Sequence, residues 1–297
     1  MRSQKVLLVI FILSLALSLS AEPWKVKGDV NLTLSQTAYS NNWAGTELGS
    51  ITWVASSNLS AEKQLTPILL SINTLKLGYG QTNQQKERLL IGGDVESYWA
   101  KPVKSTDKID AESLLKMTMK SFVNPFIGAR MESQFIDQRE AGHTKLINPM
   151  KFTESAGVTR NFVEKEHELL TARFGAAFRQ NVDRDVLTVL IPETRETQTT
   201  IDGGVEFVSE YKHAFPASNI TYNTKLQIYQ AMFNSKSDDL ATDDWKAPDL
   251  NWEHNLGIKL YKAINLNLYL QLLYEKEQIS EIQYKETLGL GISYNLF

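Results

Sequence analysis

Between Asn265 and Tyr274 the chain reads NLNLYLQLLY, so that Leu266, Leu268, Leu270, Leu272 and Tyr274 alternate with Asn265, Asn267, Tyr269, Gln271 and Leu273. A period of two is that of a pleated strand with one apolar and one polar face. Trp252, His254, Leu256, Ile258 and Leu260 alternate in the same way with Asn251, Glu253, Asn255, Gly257 and Lys259. Near the start, Val26, Gly28, Val30, Leu32 and Leu34 alternate with Lys25, Lys27, Asp29, Asn31 and Thr33. In a soluble β protein the apolar faces look inward, whereas in a transmembrane barrel they look outward into lipid. Alternation alone does not choose between the two.

Runs of this kind predict twelve strands, at 25–36, 50–59, 68–81, 108–119, 125–136, 151–161, 168–181, 198–214, 220–233, 249–261, 265–275 and 284–297. Within 68–81 the apolar parity switches from Leu70 and Ile72 to Leu75, Leu77 and Tyr79, which predicts a bulge near Thr74. The connections decide which way the apolar faces point. Every second one is long (37–49, 82–107, 137–150, 182–197, 234–248 and 276–283), and the others are short (60–67, 120–124, 162–167, 215–219 and 262–264). An up-and-down barrel of the bacterial outer membrane has long loops outside and short turns in the periplasm, and an even number of strands leaves both termini periplasmic. Aromatic residues fall where two interfacial girdles require them. Trp24, Phe215, Tyr222, Tyr261 and Phe297 lie near the short-turn ends, and Tyr39, Tyr79, Phe233, Trp252, Tyr274 and Tyr284 near the others.

The first residues place Arg2 and Lys5 before an apolar run from Val6 to Leu19, followed by Ser20 and Ala21. This predicts a secretory signal peptide over 1–20, with one antiparallel barrel domain over 21–297. The competing reading, an uncleaved anchor, has an apolar run short for a membrane span. Past that segment no stretch of 18 apolar residues occurs, which excludes a helical membrane protein. There is no cysteine, hence no disulfide, thiolate metal site or thiol nucleophile. Without residues 1–20 the chain keeps 29 basic against 34 acidic side chains, which is no footprint for nucleic acid.

The spacing of Trp24, Lys25, Gly28, Leu32, Gln36, Asn42, Trp43 and Gly45 resembles an uncharacterised, domain-of-unknown-function family of Gram-negative outer-membrane barrels. Members of that family begin W-K-x-x-G and continue to Q and N-W-x-x-G. The resemblance implies a barrel and a location, and it supplies no catalytic residues. The ending LGLGISYNLF also resembles the signal by which the barrel-assembly machinery recognises its clients, except that Phe297 has the opposite parity from Leu288, Leu290, Ile292, Tyr294 and Leu296.

No catalytic, cofactor or metal constellation emerges from the sequence. His143, His167, His213 and His254 lack metal-ligand spacing. His254 falls on the outer face near Trp252, where some outer-membrane phospholipases carry a Ser/His/Asn site, but no serine is placed beside it by sequence. Asp238, Asp239, Asp243 and Asp244 read as a solvated acidic loop, or one bridged by divalent cations to lipopolysaccharide. The polar parity assigns to the lumen the basic residues Lys25, Lys27, Lys76, Lys116, Arg130, Arg173, Arg179, Lys212, Lys225, Lys259 and Lys285. It assigns there also the acidic residues Asp29, Asp110, Glu112, Glu132, Asp202, Glu206, Glu210 and Glu253. The expected protein is a monomeric outer-membrane barrel, in contact with lipid and lipopolysaccharide, that forms a narrow pore for small polar or anionic solutes. The alternatives are a non-conducting barrel acting through its long loops and a lipid-modifying enzyme. Filled or open lumens are both open to a barrel of this width.

Overall fold

The structure, a computed structural model, describes residues 23–40, 47–119, 121–240 and 242–296. The signal segment, Asn42, Trp43, Gly45 and Phe297 lie outside the described residues. The alternating runs form the strands β1 (Lys25–Thr37), β2 (Ser50–Thr66), β3 (Leu69–Leu89), β4 (Val103–Met117), β5 (Asn124–Ser133) and β6 (Met150–Lys165). They continue as β7 (Glu168–Val189), β8 (Thr194–Phe215), β9 (Ile220–Asn234), β10 (Asp249–Tyr261), β11 (Ile264–Glu275) and β12 (Ile279–Asn295). Each pairs antiparallel with its neighbours in the chain, and β12 pairs with β1, so the twelve strands close a ring. Within the membrane this closure leaves no sheet edge, so the backbone donors and acceptors of the ring pair with one another.

Side-chain direction follows from contacts that only the lumen can allow. Lys108 on β4 reaches Glu253 on β10, half-way round the ring, with Nζ 2.6 Å from the carboxylate. Residues paired directly across antiparallel strands share a face, so the register carries this assignment from strand to strand. Leu32 pairs with Ile292 and Leu34 with Leu290, and all four are exposed on the outside. Thr33 between them, and Asp110, Arg130 and Glu253 elsewhere, are buried inside. Apolar side chains outside and charges inside is the inverse of a soluble fold, and this polarity is stable with hydrocarbon around it. The chain is a membrane β-barrel of the outer-membrane type.

The aromatic bands are present at both ends. Trp53 and Tyr79 pack 6.0 Å apart with Phe135 edge-on to Tyr79, and at the other end Tyr211 and Tyr222 lie 6.2 Å apart near Phe215. Trp252 leans back toward the short turns, donating to Thr224 Oγ1 at 3.0 Å.

Four expectations need correction. The predicted long connection 82–107 is mostly ladder: β3 runs on to Leu89 and pairs with Val95–Trp99. Likewise 182–197 is the far half of the β7–β8 hairpin, and β12 already begins at Ile279. Both stretches are exposed on two faces beyond the membrane, so they carry no apolar alternation. The bulge expected near Thr74 does not occur, because pairing between β3 and β4 is continuous from Leu69 to Gly80 and shifts only between Gly80 and Gln81. The parity switch has another cause. Leu70 and Ile72 keep the lumen parity of Lys76, while Ser71, Asn73 and Ser113 share the outer parity and bond one another at 3.1 and 2.8 Å.

The β12–β1 seam is the shortest of the ring, with six paired residues among those described, against nineteen between β7 and β8. The face assignment predicts that Leu268→Arg, which puts a cation into hydrocarbon, costs about 2–4 kcal/mol in lipid refolding titrations, while Asn267→Arg costs much less. Equal losses would overturn the parity.

Candidate functional site

On β4 the lumen parity falls on Lys108, Asp110, Glu112, Leu114 and Lys116, so one strand projects four charges inward. Each is met by an opposite charge or an amide. Arg130 on β5 grips Asp110 with two hydrogen bonds of 2.9 Å and reaches Glu132 at 3.0 Å. Arg173 on β7 pairs with Glu112 across two intervening strands. Lys116 donates to Asn161 Oδ1 at 3.0 Å. Arg179 lies 3.3 Å over the Tyr229 ring and pairs with Asp249 at 2.6 Å, while the Tyr229 hydroxyl donates to Asp202.

Three cations bridge nearly the full width of the ring. Lys108 on β4 meets Glu253 on β10; Lys225 on β9 lies 3.7 Å from both Glu112 on β4 and Glu210 on β8; Lys151 on β6 lies 3.6 Å from Glu275 on β11 and 3.7 Å from Glu132. Lys285 on β12 adds a fourth link, donating to the Ser105 carbonyl and Thr106 Oγ1 at 3.1 and 3.2 Å. Charges taken out of water are stabilised by opposite partners, and here the partners come from distant strands, so that ion pairs cross the lumen. Toward the rim that carries the long hairpin extensions of β3 and of β7–β8, the excursion rim, a cavity of about 200 Å³ remains, bounded by Arg130, Lys151, Arg179, Asp249, Gln271 and Glu275.

The predicted lumen residues therefore divide in two. Lys116, Arg173, Arg179, Glu206 and Glu253 are in the filled zone, where Glu206 lies among Glu112, Arg130 and Arg173. Lys25, Lys27, Lys212 and Lys259 are exposed at the short-turn mouth; Asp29 stands just inside it and accepts from Asn58 at 3.1 Å. Sequence reading missed Lys108, Lys151, Asp249 and Glu275. All four have lumen parity within or beside predicted strands, and their roles depend on partners from distant strands.

A second polar cluster lies on the excursion rim, between the 134–149 connection and the β7–β8 ribbon. Asp137 is fully buried, accepting from Arg139 at 2.9 Å and from Asn148 at 2.8 Å. Asn148, also fully buried, donates to Asp183 at 2.7 Å and accepts from the Arg184 amide at 2.8 Å. Arg195 pairs with Glu140 at 2.6 Å, and His143 with Asp185 at 2.6 Å. The Arg139 hydrogen bonds hold the Asp137 carboxyl well below the usual carboxylate range. The loop thereby props the ribbon upright.

The remaining sequence candidates sit apart from both clusters. His254 has its Nδ1 2.8 Å from the Tyr222 hydroxyl on the barrel exterior, with Trp252 4.6 Å away. Asp239, Asp243 and Asp244 pair with Lys236, Lys246 and Lys276.

A family described as protein of unknown function, DUF3078, matches residues 34–138. That span takes in Gln36 and the Asn42, Trp43, Gly45 stretch, and begins after Trp24, Lys25 and Gly28. No curated protein matches the chain. Among solved structures, an outer membrane channel from Pseudomonas putida F1 is similar at 15% identity and a TM-score of 0.42, covering 93% of this chain and 96% of that one. The translocator domain of the autotransporter NalP from Neisseria meningitidis is similar at 10% identity and a TM-score of 0.36, covering 99% and 95%. Salmonella typhi OmpF follows at 8% identity and a TM-score of 0.30, covering 92% and 97%.

Removing the keystone of the rim cluster should free the ribbon. Asp137→Ala removes one of the two carboxylates that Arg139 and Asn148 share, the other being Asp183 on the ribbon, so trypsin should cut after Arg184 or Arg195 several-fold faster than in the unmodified protein, with the barrel core still protected. Unchanged cleavage would mean that the ribbon stands without the network.

Proposed function

We propose that the protein is a monomeric barrel of the Gram-negative outer membrane, with residues 1–20 removed and both termini periplasmic, whose lumen is a passage for small charged solutes held shut at rest. The observation that carries this reading is the Lys108–Glu253 strut across the ring at 2.6 Å. A lumen built only for stability is better served by packed apolar side chains, since well-packed replacements of buried ion pairs are often neutral or stabilising. Here the filling is instead long ionic side chains around a cavity of about 200 Å³. Such a filling can part without unfolding a strand. The exposed lysines at the short-turn mouth, Lys25, Lys27, Lys212 and Lys259, favour the entry of anions from that side.

The non-conducting reading keeps one specific observation in its favour, that struts span the lumen at more than one place. Planar bilayers separate the two. The wild type should show rare, brief openings, and Glu253→Gln, which leaves Lys108 without its strong partner, should raise the open fraction. Arg173→Glu together with Arg179→Glu should move the reversal potential under a salt gradient toward cation preference. Silence from both the wild type and Glu253→Gln would remove the passage and leave a surface barrel acting through its rim.

A further inference from the structure

The two ribbons on the excursion rim carry at their tips Ile91 and Ile191, the two most exposed large apolar side chains among the described residues. At the β3 tip Leu89 is 74% exposed and Ile91 fully so, with Leu90 between them; at the β7 tip Leu190 is 72% and Ile191 86% exposed, next to Val189. Both ribbons follow odd-numbered strands of an up-and-down ring, which places them on the same rim. Their reach is also similar. From Tyr79 to Leu89, and from Phe178 to Val189, the strands run on for roughly 30–35 Å past the apolar belt.

We propose that the two tips are lipid anchors, which insert their aliphatic side chains into a second bilayer facing that rim. The tips share hydrophobicity and position but not shape: one reads LLIGGD and turns through Gly92 and Gly93 at φ +131° and +94°, while the other reads VLIPET and turns at Pro192. A protein pocket selects shape, whereas hydrocarbon accepts any convex apolar tip. Each tip offers three aliphatic side chains, far short of the roughly 800 Å² per partner that a specific protein interface buries. The first tip also closes part of its own backbone, Leu90 N donating to the Asp94 carbonyl at 2.8 Å and Gly93 N to the Leu90 carbonyl at 3.1 Å. Below it stand exposed Tyr98 and Trp99, the residue types that settle at headgroup depth. Below the second tip the buried Asp137 and Asn148 cluster holds the ribbon fixed, so the ordering is complete before any contact. The ribbon stems carry more acid than base, with Glu87, Asp94 and Glu96 against Lys86 and Arg88 on the first, so attraction to anionic headgroups has no part in it.

The test uses the mature barrel in nanodiscs, mixed with unilamellar vesicles of palmitoyl-oleoyl-phosphatidylcholine and floated on a sucrose gradient. Wild-type discs should rise with the vesicles at low and high salt alike. Ile91→Asp with Ile191→Asp should cut that capture by at least about ten-fold, and Ile91→Leu with Ile191→Leu should preserve it. Because the chain has no cysteine, Ile191→Cys accepts a single environment-sensitive fluorophore, whose emission should shift to the blue when vesicles are added. The proposal falls if wild-type discs stay below the vesicles, if they merely pair with one another, if the aspartate pair floats as well as wild type, or if the label at position 191 keeps its aqueous spectrum.

Discussion

Every backbone donor that enters hydrocarbon must find its acceptor within the protein, and this requirement governs the rest of the molecule. It is met by closing twelve strands through the pairing of β12 with β1. Closure into lipid then turns the alternation inside out. Leucine and isoleucine face outward without cost, while lysines, arginines and carboxylates share the inner wall, with Asp110, Arg130, Arg179 and Glu253 among the buried ones. They satisfy one another, and the ion pairs across the ring are the result.

The charged interior and the propped rim solve the same problem in different settings. Within the ring, Lys108, Lys151 and Lys225 bridge walls that the backbone holds apart. On the rim, Asp137 and Asn148 join a loop to a ribbon that no barrel neighbour supports on that side. In both places a buried carboxylate or amide is the meeting point for donors from segments far apart in sequence. The interior version ties opposite walls together, and the rim version ties a loop to a projecting ribbon.

Where lipid lies against one face, the strands were legible from sequence. Leu266 to Tyr274 could be read directly, because hydrocarbon on one side and the lumen on the other enforce a period of two. Beyond the membrane that contrast disappears. Gln84 to Leu89 and Thr194 to Thr197 have water on both faces, so their ladders leave no apolar pattern and read as loops. The lumen list suffered in a related way. Parity assigns side chains such as Arg173, Arg179, Glu206 and Glu253 to the inner face, but it does not say which opposite strand answers them. That Lys108 and Glu253 meet across the lumen follows from ring closure and register, neither of which is a property of any local stretch.

The short β12–β1 seam gives the ring a direction of weakness. With six paired residues there against nineteen between β7 and β8 among the described residues, the resistance to being pulled apart differs several-fold around the circumference. The cylinder is mechanically a curled sheet with a clasp. Thermal breathing will concentrate at that clasp, so lateral strain from the surrounding bilayer is felt first by Asp29 to Leu34 and Leu290 to Asn295, and the β7–β8 side moves as the rigid spine.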